Sequence, residues 1–325
     1  TCALPIFTTA KQAGMKSVAF EVALVEFWLS AHRNEDAAAE LEAATKLYPD
    51  SLDLLFLRAQ VEDKLAHFAT ARDALEQVVA KNPKHLRAQL RLSELQSAAG
   101  RHDEALATLT RTREAVGDDE AVLRGMALEL IALQRDAEAR ALLAKLLELA
   151  PHHRDYLLQA AELDLKTGEV DRALGYLLRL RDDKALDRRG AIHLAAAQAS
   201  KGKPLEAAQT LTPYADGEPS NVLLSTLTGR YLTDAKEYDR AETMLARAVG
   251  TANGKDAEAL FQYGRLAFGR GQVDQGMQRI NQAIELDHLA WNYRLELAQR
   301  LFERTDKPGL RDAAVKHLQL IVSTR

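Results

Sequence analysis

The stretch AAAELEAA, residues 37–44, decides the fold, because its pattern returns along the chain at a constant interval. The next copy, ARDALEQV, begins at Ala71. In each copy a leucine follows four residues after the alanine and a small or apolar residue usually follows three further on, so these positions share one helix face. A period of 34 residues indicates an array of helix pairs. The alanine recurs at this period seven times: Ala37, Ala71, Ala105, Ala139, Ala173, Ala207 and Ala241.

Other positions recur in the same phase. A small residue, which lets two helices approach closely, stands twelve residues before the alanine at Ala59, Ser93, Ala127, Ala161, Ala195 and Gly229. Proline, which cannot continue a helix interior, closes four copies at Pro49, Pro83, Pro151 and Pro219, with Gly117 in the equivalent place of another. Glycine, which tolerates a positive φ, falls between the two helices at Gly100, Gly168 and Gly202. Each copy is therefore predicted to be helix, turn, helix and break.

With these motifs the chain resembles the tetratricopeptide repeat family. The Ala-x3-Phe-x2-Ala part of the family signature is well kept, with leucine in place of phenylalanine. The Trp-x2-Leu-Gly-x2-Tyr part is degenerate, since Glu62, Gln96 and Asp164 occupy the aromatic position. The resemblance implies an all-α fold, a right-handed superhelical α-solenoid of about nine helix–turn–helix units. The predicted repeats span 18–49, 52–83, 86–117, 120–151, 154–185, 188–219, 222–253, 257–288 and 291–325.

The phase breaks only late in the chain. Gly276 comes one residue later than the period predicts, and the run 250–255 is the expected place of the insertion. The last copy, at Ala314, comes four residues late, and a turn at 306–309 is expected to absorb the excess. We therefore expect one continuous array over 18–325.

Residues 1–17 are predicted to be a poorly defined segment. Ala3-x3-Phe7-x2-Ala10 is in phase with the repeats and could be the remnant of a preceding second helix, but Pro5 argues against a stable helix. An artefact at residues 1–7 is the alternative. Because no polar capping helix is visible at the far end, we expect the sequence to be part of a longer protein.

Composition fits a helical protein, with 47% hydrophobic and 28% charged residues. The net charge of −4 argues against non-specific binding of nucleic acid. No apolar run is long enough to span a membrane. The single cysteine, Cys2, rules out an intrachain disulfide. It does not decide whether the protein is cytoplasmic or periplasmic.

Candidate chemistry is weak throughout the chain. The nine histidines include no pair at i, i+4 spacing, and His152 with His153 lacks a third ligand for a metal site. Gly269 and Gly271 begin like a dinucleotide fingerprint, but Asp274 stands where the third glycine belongs. We find no phosphate loop and no nucleophile elbow. The sequence therefore predicts no enzyme, no cofactor and no metal site.

The family resemblance implies that first helices line a concave groove. Mapping the family's inward-facing positions onto the chain predicts an acidic groove in the early repeats, with Glu26, Asp53, Gln60, Asp63, Lys64 and Glu94. The groove of the later repeats carries arginine and phenylalanine, and buried aromatic residues and arginines carry most of the energy of protein interfaces. The predicted protein-binding residues are Arg230, Phe261, Arg265, Phe268 and Phe302. The alternative for the phenylalanines is packing in the core, and for the arginines simple solvation.

Family members that bind the carboxylate tails of chaperones use a lysine and an asparagine at positions 5 and 9 of consecutive first helices. Here those positions hold residues such as Phe56, Leu90, Gln60 and Glu94, so binding of chaperone tails is disfavoured.

Two functions follow from the resemblance. The first is a non-catalytic scaffold that binds a protein or peptide in the groove, similar to the long bacterial repeat proteins of envelope or exopolysaccharide export assemblies. The alternative is the targeting arm of an enzyme, such as a glycosyltransferase, whose catalytic domain lies outside this sequence.

Overall fold

The computed structural model describes residues 3–303 and 308–323. Over those ranges the chain forms nineteen α-helices and no strand. The helices are α1 (Ala3–Gln12), α2 (Val18–Ser30), α3 (Asn34–Leu47), α4 (Leu52–Lys64), α5 (Phe68–Lys81), α6 (Leu86–Ala98), α7 (His102–Val116), α8 (Glu120–Ala132), α9 (Asp136–Leu149), α10 (Arg154–Lys166), α11 (Val170–Asp182), α12 (Arg188–Ser200), α13 (Pro204–Gly217), α14 (Val222–Asp234), α15 (Tyr238–Thr251), α16 (Ala257–Gly269), α17 (Val273–Leu286), α18 (Trp291–Phe302) and α19 (Pro308–Ser323).

After α1, the helices form nine pairs, here called repeats 1 to 9, each with a first helix (α2, α4 and so on to α18) and a second helix (α3, α5 and so on to α19). Each first helix begins at the residue where the sequence predicts its repeat to begin: Val18, Leu52, Leu86, Glu120, Arg154, Arg188, Val222, Ala257 and Trp291. The constant period therefore predicted the repeat boundaries correctly, including the late insertion before Gly276.

The chain divides into two compact units, which we call the N-terminal unit (Thr1–Pro151) and the C-terminal unit (His152–Arg325). Within each unit a first helix packs on its own second helix, and that second helix packs on the next first helix. This serial packing is that of an all-α repeat solenoid, which confirms the predicted fold class.

Side-chain caps start many of the first helices. Ser17, Ser51 and Asn221 each accept a hydrogen bond from the backbone N–H three residues later, at 3.1, 3.3 and 3.2 Å. The first N–H groups of a helix have no partner within the helix, so these caps satisfy them and help to fix where each helix starts. Asp119, Asp187 and Asp256 serve in the same way at α8, α12 and α16.

The recurring alanine marks the closest approach of two helices. All seven of these alanines are fully buried, as are most of the leucines that follow them. Repeats 7 and 8 pack still more closely, with glycine at the small position of the first helix. A Cβ on Gly229 would lie 2.5 Å from Leu245 Cγ, and a Cβ on Gly264 would lie 2.5 Å from Ile280 Cγ1. In these two repeats the second helix occupies the space that a side chain would need.

The polar residues at the family's aromatic position each have a partner beside the second helix. Thr108 Oγ1 donates to Gln96 Oε1 (2.9 Å), and Thr210 Oγ1 donates to Gln198 Oε1 (2.8 Å). Asp164 is almost fully buried and pairs with Arg172 at 2.8 Å, and Glu62 lies 2.9 Å from His67 Nδ1. Buried polar groups are costly unless hydrogen-bonded. The departure from the family signature is therefore compensated within the same repeat.

The turn inside each of repeats 1 to 8 contains one residue with positive φ, always at the same phase. It is glycine in repeats 3, 5, 6 and 8 (Gly100, Gly168, Gly202 and Gly271) and another residue in repeats 1, 2, 4 and 7 (His32, Ala66, Gln134 and Lys236). In repeat 3 the Gly100 N–H donates to Ser97 O (2.8 Å) and the Arg101 N–H to Gln96 O (2.9 Å). This is the Schellman arrangement, which satisfies carbonyls at a helix end. The predicted glycine turns are thus confirmed.

Helix α1 packs on repeat 1 and contradicts the argument from Pro5. Pro5 is the third residue of the helix, where a backbone N–H has no partner within the helix to lose. The Phe7 ring lies 6.0 Å from Phe20 and 5.4 Å from Phe27, between ring centroids. Lys11 also forms an ion pair with Glu40 of α3. Residues 3–12 therefore form a helix that contacts both helices of repeat 1.

Two sequence-based expectations lie outside the described residues, namely the isolation of Cys2 and part of the turn at 306–309. Among the helices that are described, none combines the length and the apolar character that a membrane span requires.

Candidate protein-binding surface

The surface formed by first helices, here called the first-helix surface, carries the predicted binding residues. In the C-terminal unit Arg230 lies on α14 and is exposed. Its guanidinium lies 5.6 Å from the ring centroid of Tyr231, and it has no carboxylate partner among the described residues. Burial raises the pKa of the Tyr231 phenol, and the nearby charge of Arg230 opposes this effect. Arg230 is therefore a cation that a partner can reach.

Arg265, on α16, is held in a different way. It lies 3.1 Å from Asp234 of α14 and 3.4 Å from Glu296 of α18, and its side chain is only 19% exposed. It also donates to Gln262 Oε1 at 2.9 Å. Because two carboxylates already balance its charge, Arg265 connects three consecutive first helices and offers little charge to a partner.

Hydrogen bonds extend this network along the same surface. The amide of Gln262 donates to Glu258 at 2.7 Å, and the Tyr293 hydroxyl donates to the same carboxylate at 2.9 Å. Burial raises the pKa of Tyr293, and the bond to Glu258 raises it further. Arg300 donates to Glu296 at 3.0 Å. Polar side chains thus connect α14, α16 and α18 at several points.

The three phenylalanines of the predicted site have different environments. Phe261 is 7% exposed and stacks on Tyr293 at 4.4 Å between ring centroids. Phe268 is 6% exposed and covers Gly276, where a Cβ would meet its ring at 2.5 Å. Phe302 is 49% exposed, with the Arg311 guanidinium 4.9 Å from its ring centroid. Burial therefore favours the core alternative for Phe261 and Phe268, whereas Phe302 is open to a partner.

A third arrangement on this surface joins α10 and α12. Arg189 donates to Glu162 at 2.6 Å, and His193 Nε2 lies 3.0 Å from the same carboxylate. Burial works to raise the pKa of Glu162, but the hydrogen bond from His193 and the charge of Arg189 outweigh it, so the pKa is lowered. The cation of Arg189, like that of Arg265, is paired.

In the N-terminal unit the first-helix surface contains a pocket of about 170 Å³. Val22, Phe56 and Leu57 supply its apolar lining, and Glu26 and Asp53 contribute carboxylates with no ion-pair partner among the described residues. The other lining residues are Gln60, His85 and Arg87. Asp63, which the sequence also places in the acidic groove, pairs with Arg91 at 2.5 Å. The acidic groove is therefore open at Glu26 and Asp53 and closed at Asp63.

The pairing between first helices is the feature that sequence reasoning missed. Asp63 and Arg91, Glu162 and Arg189, and Arg265 with both of its carboxylates are separated by slightly less than one repeat. Opposite charges at this separation on first-helix positions are the signal that would have revealed these ties. No group of three or more histidine, cysteine or acidic side chains suited to a metal ion occurs in the part of the chain that the structure describes.

The serial helix pairs define the class of protein as a helical-repeat solenoid. The family model described as "Tetratricopeptide repeat" matches residues 65–128. Residues 65–128 therefore resemble a tetratricopeptide repeat in sequence, and the structural likenesses that follow show the same fold over a larger part of the chain.

Three solved structures are similar to the chain in fold. The C-terminal part of a repeat-containing protein from Cytophaga hutchinsonii is 12% identical, with a TM-score of 0.61, over 73% of this chain and 97% of that one. A tetratricopeptide repeat protein from Parabacteroides merdae is 14% identical, with a TM-score of 0.54, over 81% and 98%. PilW, described as a widely conserved type IV pilus biogenesis factor, is 15% identical, with a TM-score of 0.52, over 63% and 96%. Comparison with the curated proteins gives no match.

Proposed function

We propose that this chain is a non-catalytic scaffold that binds a protein or peptide on its first-helix surface, and that the C-terminal unit takes an acidic segment. The observation that carries the proposal is the contrast between Arg230 and Arg265. Arg230 is exposed and lacks a carboxylate partner in the described ranges, whereas two carboxylates neutralise Arg265. A ligand carboxylate at Arg230 gains a charge-assisted hydrogen bond and displaces no existing ion pair.

The surroundings of Arg230 support the same proposal. Leu223, on the same helix, is a large apolar side chain that is more than half exposed. Ala196, at the matching position of the preceding first helix α12, is small and exposed, which leaves room beside the arginine. An arginine next to apolar surface is a common centre of binding energy at protein interfaces. Of the five predicted binding residues, Arg230 and Phe302 are therefore the two that we propose to contact a partner directly.

Selection of peptides by display on the purified chain tests the chemistry of the partner. We expect peptides enriched in aspartate and glutamate from the wild type, and loss of that enrichment with Arg230→Glu. The matched control is Arg240→Glu, which makes the same charge change at an exposed position of the second helix α15. Enrichment that is equal in all three proteins, or no acidic enrichment with the wild type, contradicts the proposed site.

Affinity purification from the source organism then identifies the natural partner. A protein recovered with the wild type and with Arg240→Glu, but not with Arg230→Glu, is expected. Recovery of one partner by all three proteins moves the site to the pocket beside Glu26 and Asp53 or to the second-helix face.

The narrower setting that we propose is a bacterial envelope or exopolysaccharide export assembly. It draws on the alanine-, leucine- and arginine-rich composition of the array. One protein of similar fold, PilW, is described as a pilus biogenesis factor, and that description applies to PilW alone. The alternative is that the array is the targeting arm of an enzyme. Partners from envelope complexes favour the first setting, and co-purification of the substrates of a modifying enzyme favours the second. We expect chaperone tails to be absent among the partners.

A further inference from the structure

The pocket on the first-helix surface of the N-terminal unit combines apolar side chains with carboxylates. Three consecutive repeats build it, because its lining residues come from α2, from α4 and from the start of α6. Leu57 is almost fully buried, whereas Val22 and Phe56 are half-buried and line the cavity. The His85 ring lies 4.7 Å from the Phe56 ring, between centroids. A ligand chain of a few carbon atoms can therefore pack against this lining.

His85 adds no positive charge to the pocket in this arrangement. Its Nδ1 accepts a hydrogen bond from the Ala88 N–H at 3.1 Å. A backbone N–H can only donate, so Nδ1 carries no proton and the imidazole is neutral. The charged groups that line the pocket are then Glu26, Asp53 and Arg87, two negative and one positive. The lining therefore has a net negative charge.

The two carboxylates of the pocket differ from other acidic residues on the same helices. Asp63 and Glu94 both pair with Arg91, at 2.5 and 2.6 Å. Glu26 and Asp53 are exposed and have no ion-pair partner among the described residues. A ligand cation that reaches them gains charge-assisted hydrogen bonds and displaces no existing ion pair.

We propose that this pocket binds the side chain of a lysine in a partner polypeptide. The ammonium group has three donors. The pocket presents acceptors for all of them, namely the carboxylates of Glu26 and Asp53 and the amide oxygen of Gln60. The aliphatic stem of the lysine packs against Val22 and Phe56, as such stems commonly do on apolar surface. The proposal rests on peptide binding by the first-helix surface, but not on the arginine site of the C-terminal unit.

Arginine is a poorer occupant of the pocket than lysine. A guanidinium is planar and is matched best by the two oxygens of one carboxylate. Here the carboxylates come from different helices, Glu26 from α2 and Asp53 from α4, and a compact ammonium can turn a donor to each. Arg87 lines the same pocket, yet it forms no ion pair with any described carboxylate.

Selection from a random peptide library displayed on phage tests the site with the whole chain. We expect lysine to be enriched at one position of the selected peptides. The double variant Glu26→Gln/Asp53→Asn should abolish this enrichment, because it removes both charges and keeps the size of the side chains. Glu35→Gln, at an exposed position of α3, is the control and should keep it.

Fluorescence anisotropy with one selected peptide then tests the chemistry. Acetylation of its lysine removes the charge and keeps the stem, so it should weaken binding by about tenfold or more. The double variant should have an effect of the same size. Arg87→Gln should strengthen binding, because it removes a like charge from the pocket. Unchanged circular dichroism spectra and urea midpoints show that the variants are folded.

The site at Arg230 and the lysine pocket can be tested separately. Selection on Arg230→Glu should enrich lysine as the wild type does, so failure of the acidic-segment site leaves this result unchanged. Three outcomes overturn the lysine pocket: no lysine enrichment with the wild type, equal enrichment of arginine, or enrichment that survives the double variant. Binding that acetylation leaves unchanged overturns it as well.

Discussion

The first-helix surfaces of the two units differ in charge and in how that charge is used. In the N-terminal unit, Glu26 and Asp53 line a pocket and have no ion-pair partner among the described residues. In the C-terminal unit, carboxylates of neighbouring first helices pair with Arg189 and Arg265, whereas Arg230 has no carboxylate partner among the described residues. The charge of a side chain therefore does not show whether that side chain is free to bind a partner. Availability depends on what the neighbouring repeat places about one period away.

The units also differ in how closely their helices approach. In the N-terminal unit the small position of the first helix holds valine, alanine or serine, whereas repeats 7 and 8 of the C-terminal unit hold Gly229 and Gly264. The glycines bring the second helix close to the backbone of the first, and the paired side chains connect one first helix to the next. We therefore expect the C-terminal unit to be the more sensitive of the two to substitution.

The largest effect is expected from Gly264→Ala, which breaks the close packing of repeat 8. The new Cβ would lie 2.5 Å from Ile280 Cγ1 and 3.1 Å from the carbonyl oxygen of Gly276, and a backbone atom cannot rotate away. We expect a loss of about 1–3 kcal/mol in the free energy of unfolding, measured with urea. Gly250→Ala is the control, since nothing lies within 4 Å of its Cβ. Equal stability of Gly264→Ala and the control would contradict the close packing.

Arg265→Glu tests the pairing between first helices. It removes the ties to Asp234 and Glu296 and places a third carboxylate between them. We expect a loss of about 1–2 kcal/mol, between the effects of exposed and buried ion pairs. Arg230→Glu, at the unpaired arginine, is expected to change stability by less than about 0.5 kcal/mol. Similar urea midpoints for the two variants would show that Arg265 is as free as Arg230.

Glu21 of the N-terminal unit and Glu162 of the C-terminal unit should make the stability of the protein depend on pH in opposite directions. Burial raises the pKa of Glu21 above 4.5, while Glu162 titrates below 4.5. A raised carboxyl pKa costs stability as pH rises through 4.5, and a lowered one gives stability that is lost as pH falls below 4.5. Glu21→Gln is therefore expected to gain stability over the wild type from pH 4 to 7. Glu162→Gln is expected to be less stable than the wild type at pH 7 and to approach it in acid.

Thermal unfolding of the wild type and both glutamine variants at several pH values measures this difference. The same slope with pH for the two variants, relative to the wild type, would show that the two carboxyl groups have similar environments.

The smallest effect on stability is expected at the open pocket of the N-terminal unit. Glu26→Gln and Asp53→Asn alter exposed carboxylates that have no ion-pair partner within the described ranges, so each should change the free energy of unfolding by less than about 0.5 kcal/mol. Basic peptides bound by the wild type should lose affinity with the double variant. Glu35→Gln, on the second helix α3, is the control. A large loss of stability would mean that the two carboxylates support the fold.

The period predicted the repeats and where they begin, because each close helix crossing requires a small residue and alanine therefore recurs there at a fixed interval. Which side chains on the first helices would be buried or paired was harder to predict. Phe261 and Phe268 occupy positions that face the groove in the family. Here Phe261 stacks on Tyr293 and Phe268 packs against Gly276, so both side chains are buried. Arg265 is paired through residues 31 positions away on either side. Such contacts depend on the packing between repeats, which the sequence of one repeat does not contain.

The repeats also differ in their turns, with a consequence for local opening. In repeats 1, 2, 4 and 7 a residue with a side chain holds the left-handed backbone, at a cost of about 1–2 kcal/mol relative to glycine. The strain at His32, Ala66, Gln134 and Lys236 favours fraying of the adjoining helix ends. Amide hydrogens at these four ends should therefore exchange with solvent sooner than those beside Gly100 or Gly168. An array with a regular period can thus open at irregular intervals, and the order of opening follows from one residue in each turn.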